Sequence, residues 1–372
     1  MVELHEVRGV LDLRRFVLFP FSIYSDSPYW VPPLVADDLR TLDPKRNPAF
    51  EYCDAKYWLA YRDGEPAGRI AAIINRRYIE RWHNKYARFG WIDFVDDREV
   101  SASLLGAAER WAAERGMAAL VGPMGFTDLD PEGMLVEGFE ELGTLPMIYN
   151  YPYYPRHLEA LGYRKEIDWL EYEVNVPDRT PERVRRIAEL CRKRYKLRTV
   201  DAKRRKDVLP YAPGIFQVVN QAYAPLYGVV ELTEEQIQGY VKQYFGFIRA
   251  ELVIIVLDQH DDVVAFAVAM PSLSRALQAA NGRIFPLGFV HLLKALRSPD
   301  SIDFYLGAVR PDYQGKGLTS IIMQDMQERC NRLGITSAES SGNLESNHQI
   351  KALWTYYEHR QHKRRRAYIK QL

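Results

Sequence analysis

Val309-Arg-Pro-Asp-Tyr-Gln-Gly-Lys-Gly-Leu-Thr319 is the stretch whose reading decides this chain. It leaves an apolar strand, Phe304 to Val309, bends at Pro311-Asp312 and opens an amphipathic helix, Leu318 to Leu333. Ile321, Ile322, Met326 and Cys330 line one face of that helix. The first turn of a helix offers N–H groups without intrahelical partners and a partial positive charge, which together suit an anion. Gly315 and Gly317 let the backbone approach the anion with no Cβ between, and Lys316 adds a charge. Two other phosphate loops fail on spacing. A Walker A loop needs Gly-x4-Gly-Lys-Ser/Thr, and a dinucleotide fingerprint needs a third glycine where Ser320 stands.

Working outward, the elements before and after the loop occur twice. Lys56 to Asn75 reads as two strands joined by Asp63-Gly64, and Glu251 to Met270 has the same hairpin shape. Each hairpin is followed by a strand and an amphipathic helix, Phe89 to Phe94 then Glu99 to Arg115 in the first half. Each helix stops at a glycine, Gly116 or Gly334, and a short strand follows. Each half then closes with an aromatic helix, at Tyr153-Tyr154 or Tyr356-Tyr357, and a final strand. The pattern predicts a mixed α/β fold used twice, residues 1–177 and 178–372, with the boundary in the Pro-rich stretch Asn175 to Arg183. Ser272 to Ser298 is extra in the second half, a helical insertion expected over its hairpin. Phe126 to Met147, Gly-rich and acidic, is expected as a long loop.

Composition bounds the function. With 47% apolar and 27% charged residues and a net charge of +1, the chain reads as a soluble globular protein rather than a nucleic-acid binder. Cys53, Cys191 and Cys330 are odd in number and widely spaced, so they read as reduced and buried. The histidines lack metal-ligand spacing, and no metal is expected. The first residues lack a signal-peptide stretch, and no run approaches the roughly 20 apolar residues of a membrane span. The expectation is a cytoplasmic protein with neither nucleic acid nor membrane as partner, monomeric or homodimeric. The basic tail His359 to Arg366 reads as a solvated strand, and Tyr149 to Tyr154 as core.

Gln314 and Gly317 make the loop similar to the Arg/Gln-x-x-Gly-x-Gly/Ala loop of the GNAT acyltransferase superfamily, with Thr319 replacing the last small residue. Downstream, Leu344-Glu-Ser-Asn347 and Leu353-Trp-Thr-Tyr-Tyr357 resemble that superfamily's Asn and its helix carrying a Tyr, although Arg360-Gln361-His362 stand where a Gly-Phe usually follows. The first half keeps Gly162-Tyr163 but has Phe94-Val-Asp-Asp-Arg-Glu99 in place of the glycine loop, and acids there repel an anion. The whole chain therefore resembles a tandem GNAT protein with a degenerate first half. It also looks like an uncharacterised bacterial group of that superfamily with Trp30-Val-Pro-Pro-Leu34 and Gly122-Pro123.

The resemblance implies two tandem domains, each a central mixed, mostly antiparallel sheet flanked by helices. It also implies acyl transfer from acetyl-CoA or another acyl-CoA to the amine of a small molecule. Backbone amides of Gln314, Gly315, Lys316, Gly317, Leu318 and Thr319 would hold the pyrophosphate, and Asn347 the pantetheine arm. Ala308 or Val309 would offer an N–H to the thioester carbonyl. Tyr357, with Tyr356 second, would protonate the thiolate, and Glu339 would act as base, with Asp303 and Tyr305 as other candidates. Asn347 equally suits a helix N-cap. Two competing readings are an aminoacyl-tRNA-dependent transferase of similar fold and a coenzyme A-binding module without turnover.

Overall fold

The computed structural model describes residues 1–347 and 352–372. They form two compact units. Unit 1 comprises Met1–Leu170, Ser274–Leu292 and His362–Leu372, and unit 2 comprises Glu171–Leu273 and Leu293–Gln361.

The first stretch of chain contributes strands β1 (Val2–Glu6), β2 (Cys53–Arg62), β3 (Glu65–Asn75), β4 (Tyr86–Phe94), β5 (Ala119–Gly122), β6 (Met134–Glu137) and β7 (Arg164–Asn175). Its helices are α1 (Gly9–Leu18), α2 (Pro20–Ile23), α3 (Val35–Thr41), α4 (Arg76–Trp82), α5 (Arg98–Ala113) and α6 (Tyr153–Ala160). The β2–β3 hairpin turns at Asp63 and Gly64, both at positive φ, as the Asp-Gly pair predicts. On α5, Val100, Leu104, Leu105, Ala108, Trp111 and Ala112 form the buried stripe, packed with Phe89 and Phe94.

The remainder supplies helices α7 (Glu182–Tyr195), α8 (Arg205–Val208), α9 (Ala212–Tyr223), α10 (Glu234–Tyr244), α11 (Ser274–Ala280), α12 (Gly288–Arg297) and α13 (Leu318–Leu333). Its strands are β8 (Arg198–Thr199), β9 (Val253–Leu257), β10 (Val263–Pro271), β11 (Ser301–Val309), β12 (Ser337–Glu339), β13 (Asn343–Leu344) and β14 (His359–Gln371). The predicted stripe of α13 packs on β9 and β10 residues such as Ile254 and Ala265, and the helix stops at Gly334 in the left-handed region. The three cysteines are buried and unpaired.

β4–β5 in unit 1 and β11–β12 in unit 2 are parallel pairs, and the β2–β3, β3–β4, β9–β10 and β10–β11 pairs are antiparallel. Unit 1 runs β1-β2-β3-β4-β5-β14 and unit 2 runs β7-β12-β11-β10-β9-β8. The final strands are therefore exchanged. Residues 368–371 of β14 pair with β5, and Glu173 to Asn175 of β7 pair with β12. The sequence reading had each half close on its own last strand.

Two local expectations also change. The insertion, expected over its own hairpin, is divided: Ser274–Leu292 belong to unit 1, while Leu293 to Ser298 stay in unit 2. Ser274 Oγ donates to Gly143 O at 2.8 Å, and Gln278 Nε2 donates to Pro28 O at 2.9 Å and Trp30 O at 3.0 Å. The Gly-rich stretch 126–147 carries β6, which pairs with β14, and it buries Phe126, Met134 and Leu135.

Candidate functional site

The site lies in unit 2, where β11 leaves β12. The parallel ladder joins Ser301, Ile302 and Asp303 to Ser337, Ala338 and Glu339, and there β12 ends. Beyond it β11 pairs only with β10, with a register shift that leaves Tyr305 bulged between Phe304 and Leu306. Arg310 N donates to Val264 O at 2.8 Å, so by ladder alternation Ala308 faces β10 while Gly307 and Val309 face the gap. Two side chains hold these gap-facing groups. The Tyr223 hydroxyl lies 3.3 Å from both Gly307 N and Gly307 O, and Gln314 Nε2 donates to Val309 O at 3.1 Å.

The glycine loop follows directly. Gly315 and Gly317 sit at φ of 72° and 86°, and Gly317 is the N-cap of α13, with no side-chain cap. A Cβ on Gly317 would stand 2.8 Å from Ile187 Cγ2 and 3.0 Å from Cys191 Sγ, so both conformation and close packing against α7 demand glycine. Cys191 Sγ donates to Lys316 O at 2.9 Å, fixing the turn from behind. Gln314, Gly315 and Lys316 are exposed, whereas the Leu318 side chain is core. The Lys316 ammonium rests 4.9 Å and 5.3 Å from the ring centres of Tyr313 and Tyr195. Arg310 grips Asp312, and this pairing keeps the Asp312 carboxyl below its usual range.

The gap has an apolar wall and an acidic face. On the apolar side, a narrow cavity of about 30 Å³ is lined by Ile302, Phe304, Ala338, Met326, Trp354 and Tyr357 among others. The Tyr357 hydroxyl, Trp354 Nε1 and Gln327 Oε1, all from this lining, have no hydrogen-bond partner among the described residues. Leaving such atoms unpaired costs about 1–3 kcal/mol each. Burial pushes the Tyr357 phenol well up, so it keeps its proton. Tyr356, in contrast, is covered by the Arg183 guanidinium 5.2 Å away.

The acids share another register. Asp303, Glu339 and Glu173 stand side by side across β11, β12 and β7, and carboxylate oxygens of Glu339 and Glu171 approach within 4.8 Å. Glu173 is engaged by Arg360 at 2.5 Å. Burial, and then the charge of Asp303, push the Tyr305 phenol far up. Asn347 is half-buried, with its N–H donating to Leu344 O at 2.8 Å; residues 348–351, which an N-cap at Asn347 would precede, lie outside the described residues.

Gly307 and Tyr223 were missed in the sequence. Gly307 is marked in the sequence only as a glycine inside a strand, and an added Cβ there would make ordinary contacts, the nearest 3.7 Å from Phe266 O. Tyr223 carries no such mark.

No family model matches the chain. Protein YghO of Escherichia coli is 29% identical over 368 residues, spanning 97% of this chain and 93% of its own. The bacterial ceramide synthase of Caulobacter vibrioides is 27% identical over 349 residues, spanning 92% and 90%. Among solved structures, a tandem GNAT protein from the clavulanic acid biosynthesis pathway superposes with a TM-score of 0.57 at 12% identity, covering 100% of this chain and 98% of that one. Hairpin, splayed parallel pair, glycine turn and helix, present in this order, are thus held in a known architecture, and the chain has the GNAT N-acetyltransferase fold in tandem.

Proposed function

We propose that unit 2 is an acyl-CoA-dependent N-acyltransferase that moves an acyl group directly from coenzyme A to an amine. One observation supports the reading: unit 2 has both a glycine-lined helix N-terminus without a side-chain cap and a buried tyrosine hydroxyl with no hydrogen-bond partner among the described residues. The N–H groups from Gly315 to Thr319 would hold the pyrophosphate. The N–H of Gly307, now at the Tyr223 hydroxyl, or that of Val309 would hold the thioester oxygen as it gains charge. The amine nitrogen attacks the carbonyl carbon, its proton passes to Asp303 or Glu339, and the C–S bond breaks. The departing thiolate takes the Tyr357 proton.

The ceramide synthase among the relatives makes a long-chain amino alcohol the first acceptor to test. The test is calorimetric titration with acetyl-, hexanoyl- and palmitoyl-CoA, followed by release of free thiol when the amino alcohol is added. Binding is expected for at least one of them, and silence from all three sinks the reading. Gly317→Asp places a carboxylate at the helix start and should weaken binding by about a hundredfold.

A further inference from the structure

We propose that the tip of the insertion, residues 283–297, seats this protein on an anionic lipid bilayer. Among the described residues, eleven large apolar side chains are exposed, and five of them fall between 285 and 293. These are Phe285 at 78% exposure, Leu287 at 71%, Val290 at 52%, Leu293 at 42% and Phe289 at 38%. Such a concentration is not the scatter of single apolar residues found on any surface.

The crest stands on a fixed base. Beyond the hydrogen bonds of Ser274 and Gln278, Val35 N donates to Gly282 O at 3.2 Å, and a Cβ on Gly282 would meet Pro33 O at 2.4 Å. The turn closes on itself as tightly, since a Cβ on Gly288 would lie 1.8 Å from Arg283 O. On α12, Gly288, Leu292 and Leu296 face inward. Phe289, Leu293 and Arg297, four residues apart, face out, as do Val290 and Lys294. The outward face is therefore apolar at its start and basic at its end.

Charge selects the occupant. From Ser272 to Pro299 there is no Asp or Glu, while Arg275, Arg283, Lys294 and Arg297 are present. Aromatic and leucine side chains beside cations of a single sign match the boundary between acyl chains and anionic headgroups, where long basic side chains reach outward as the rings sink.

The experiment is co-sedimentation of the full chain with phosphatidylcholine vesicles, with and without phosphatidylglycerol, across a salt series. Binding is expected on the anionic vesicles and should weaken with salt. Phe285→Ser/Leu287→Ser/Phe289→Ser should lower it by at least about tenfold with circular dichroism unchanged. Arg283→Gln/Lys294→Gln/Arg297→Gln keeps the apolar crest and should lower it by about fivefold per charge while flattening the salt dependence. A wild-type chain that stays in the supernatant at low salt overturns the proposal, as does a serine variant that binds as well as wild type. Self-association that the serine variant abolishes, without vesicle binding, assigns the crest to a second copy instead.

Discussion

Tyr153-Tyr154 open α6 and Tyr356-Tyr357 stand in the turn just before β14, and the structure uses the two pairs in opposite ways. In unit 1 the Tyr154 hydroxyl accepts from Phe94 N at 3.0 Å, Tyr153 donates to Phe94 O at 2.6 Å, and the Tyr154 ring stacks on Phe94. Tyr24 ties Tyr154 to Asp93, which also receives Arg69 at 2.7 Å. Backbone closes the rest: Met124 N donates to Phe89 O, and a Cβ on Gly90 would come within 2.6 Å of Met124 O. The helix start is filled as well, because the Asp97 carboxylate accepts from Glu99 N and Val100 N. Unit 2 leaves the Tyr357 hydroxyl without a partner among the described residues, ends the β11–β12 ladder at Asp303 and caps α13 with glycine. One repeat has turned its hydrogen bonds inward, and the other is the one proposed to keep them for a ligand.

That contrast predicts a double dissociation. Tyr357→Phe should reduce kcat by about a hundredfold with KM little changed, because it removes a proton donor from the chemical step. It should leave the unfolding midpoint in place or raise it, since an unpaired hydroxyl leaves an apolar wall. A full rate in Tyr357→Phe would break the assignment. Tyr154→Phe should do the reverse, lowering stability by about 1–3 kcal/mol in urea unfolding because Phe94 N and Tyr24 lose a partner, with turnover unaffected. Smallest, Asp97→Ala should cost about 1 kcal/mol through the lost N-cap and leave acyl-CoA affinity alone. A second binding site appearing in that variant would show that the carboxylate alone keeps the first repeat from binding the ligand.

Much of this was legible. Asp63-Gly64, the stripes on α5 and α13 and the stops at Gly116 and Gly334 are local signals, and local chemistry decided them. The acids at 96–99 announced the filled helix start, which the structure resolves into Asp97 as the capping residue. The strand exchange was not legible. β7 and β14 both follow an aromatic helix, and nothing within either strand says which sheet edge it will join. Docking of the insertion rests on pairings such as Gln278 with Trp30, across 248 residues, beyond the reach of any periodicity. Gly307 shows the middle case, visible as a residue type but not as a role until its ladder direction is known.

The exchanged strand has a consequence during synthesis. Unit 1 buries Lys363, Arg365, Ala367 and Tyr368 from the chain's last strand, so its sheet gains that edge only when the closing residues have left the ribosome. At roughly 5–20 residues per second, β5 waits on the order of ten seconds or more with its outer edge bare. A bare edge invites pairing with other chains. For this protein, the repeat made first is the one finished last.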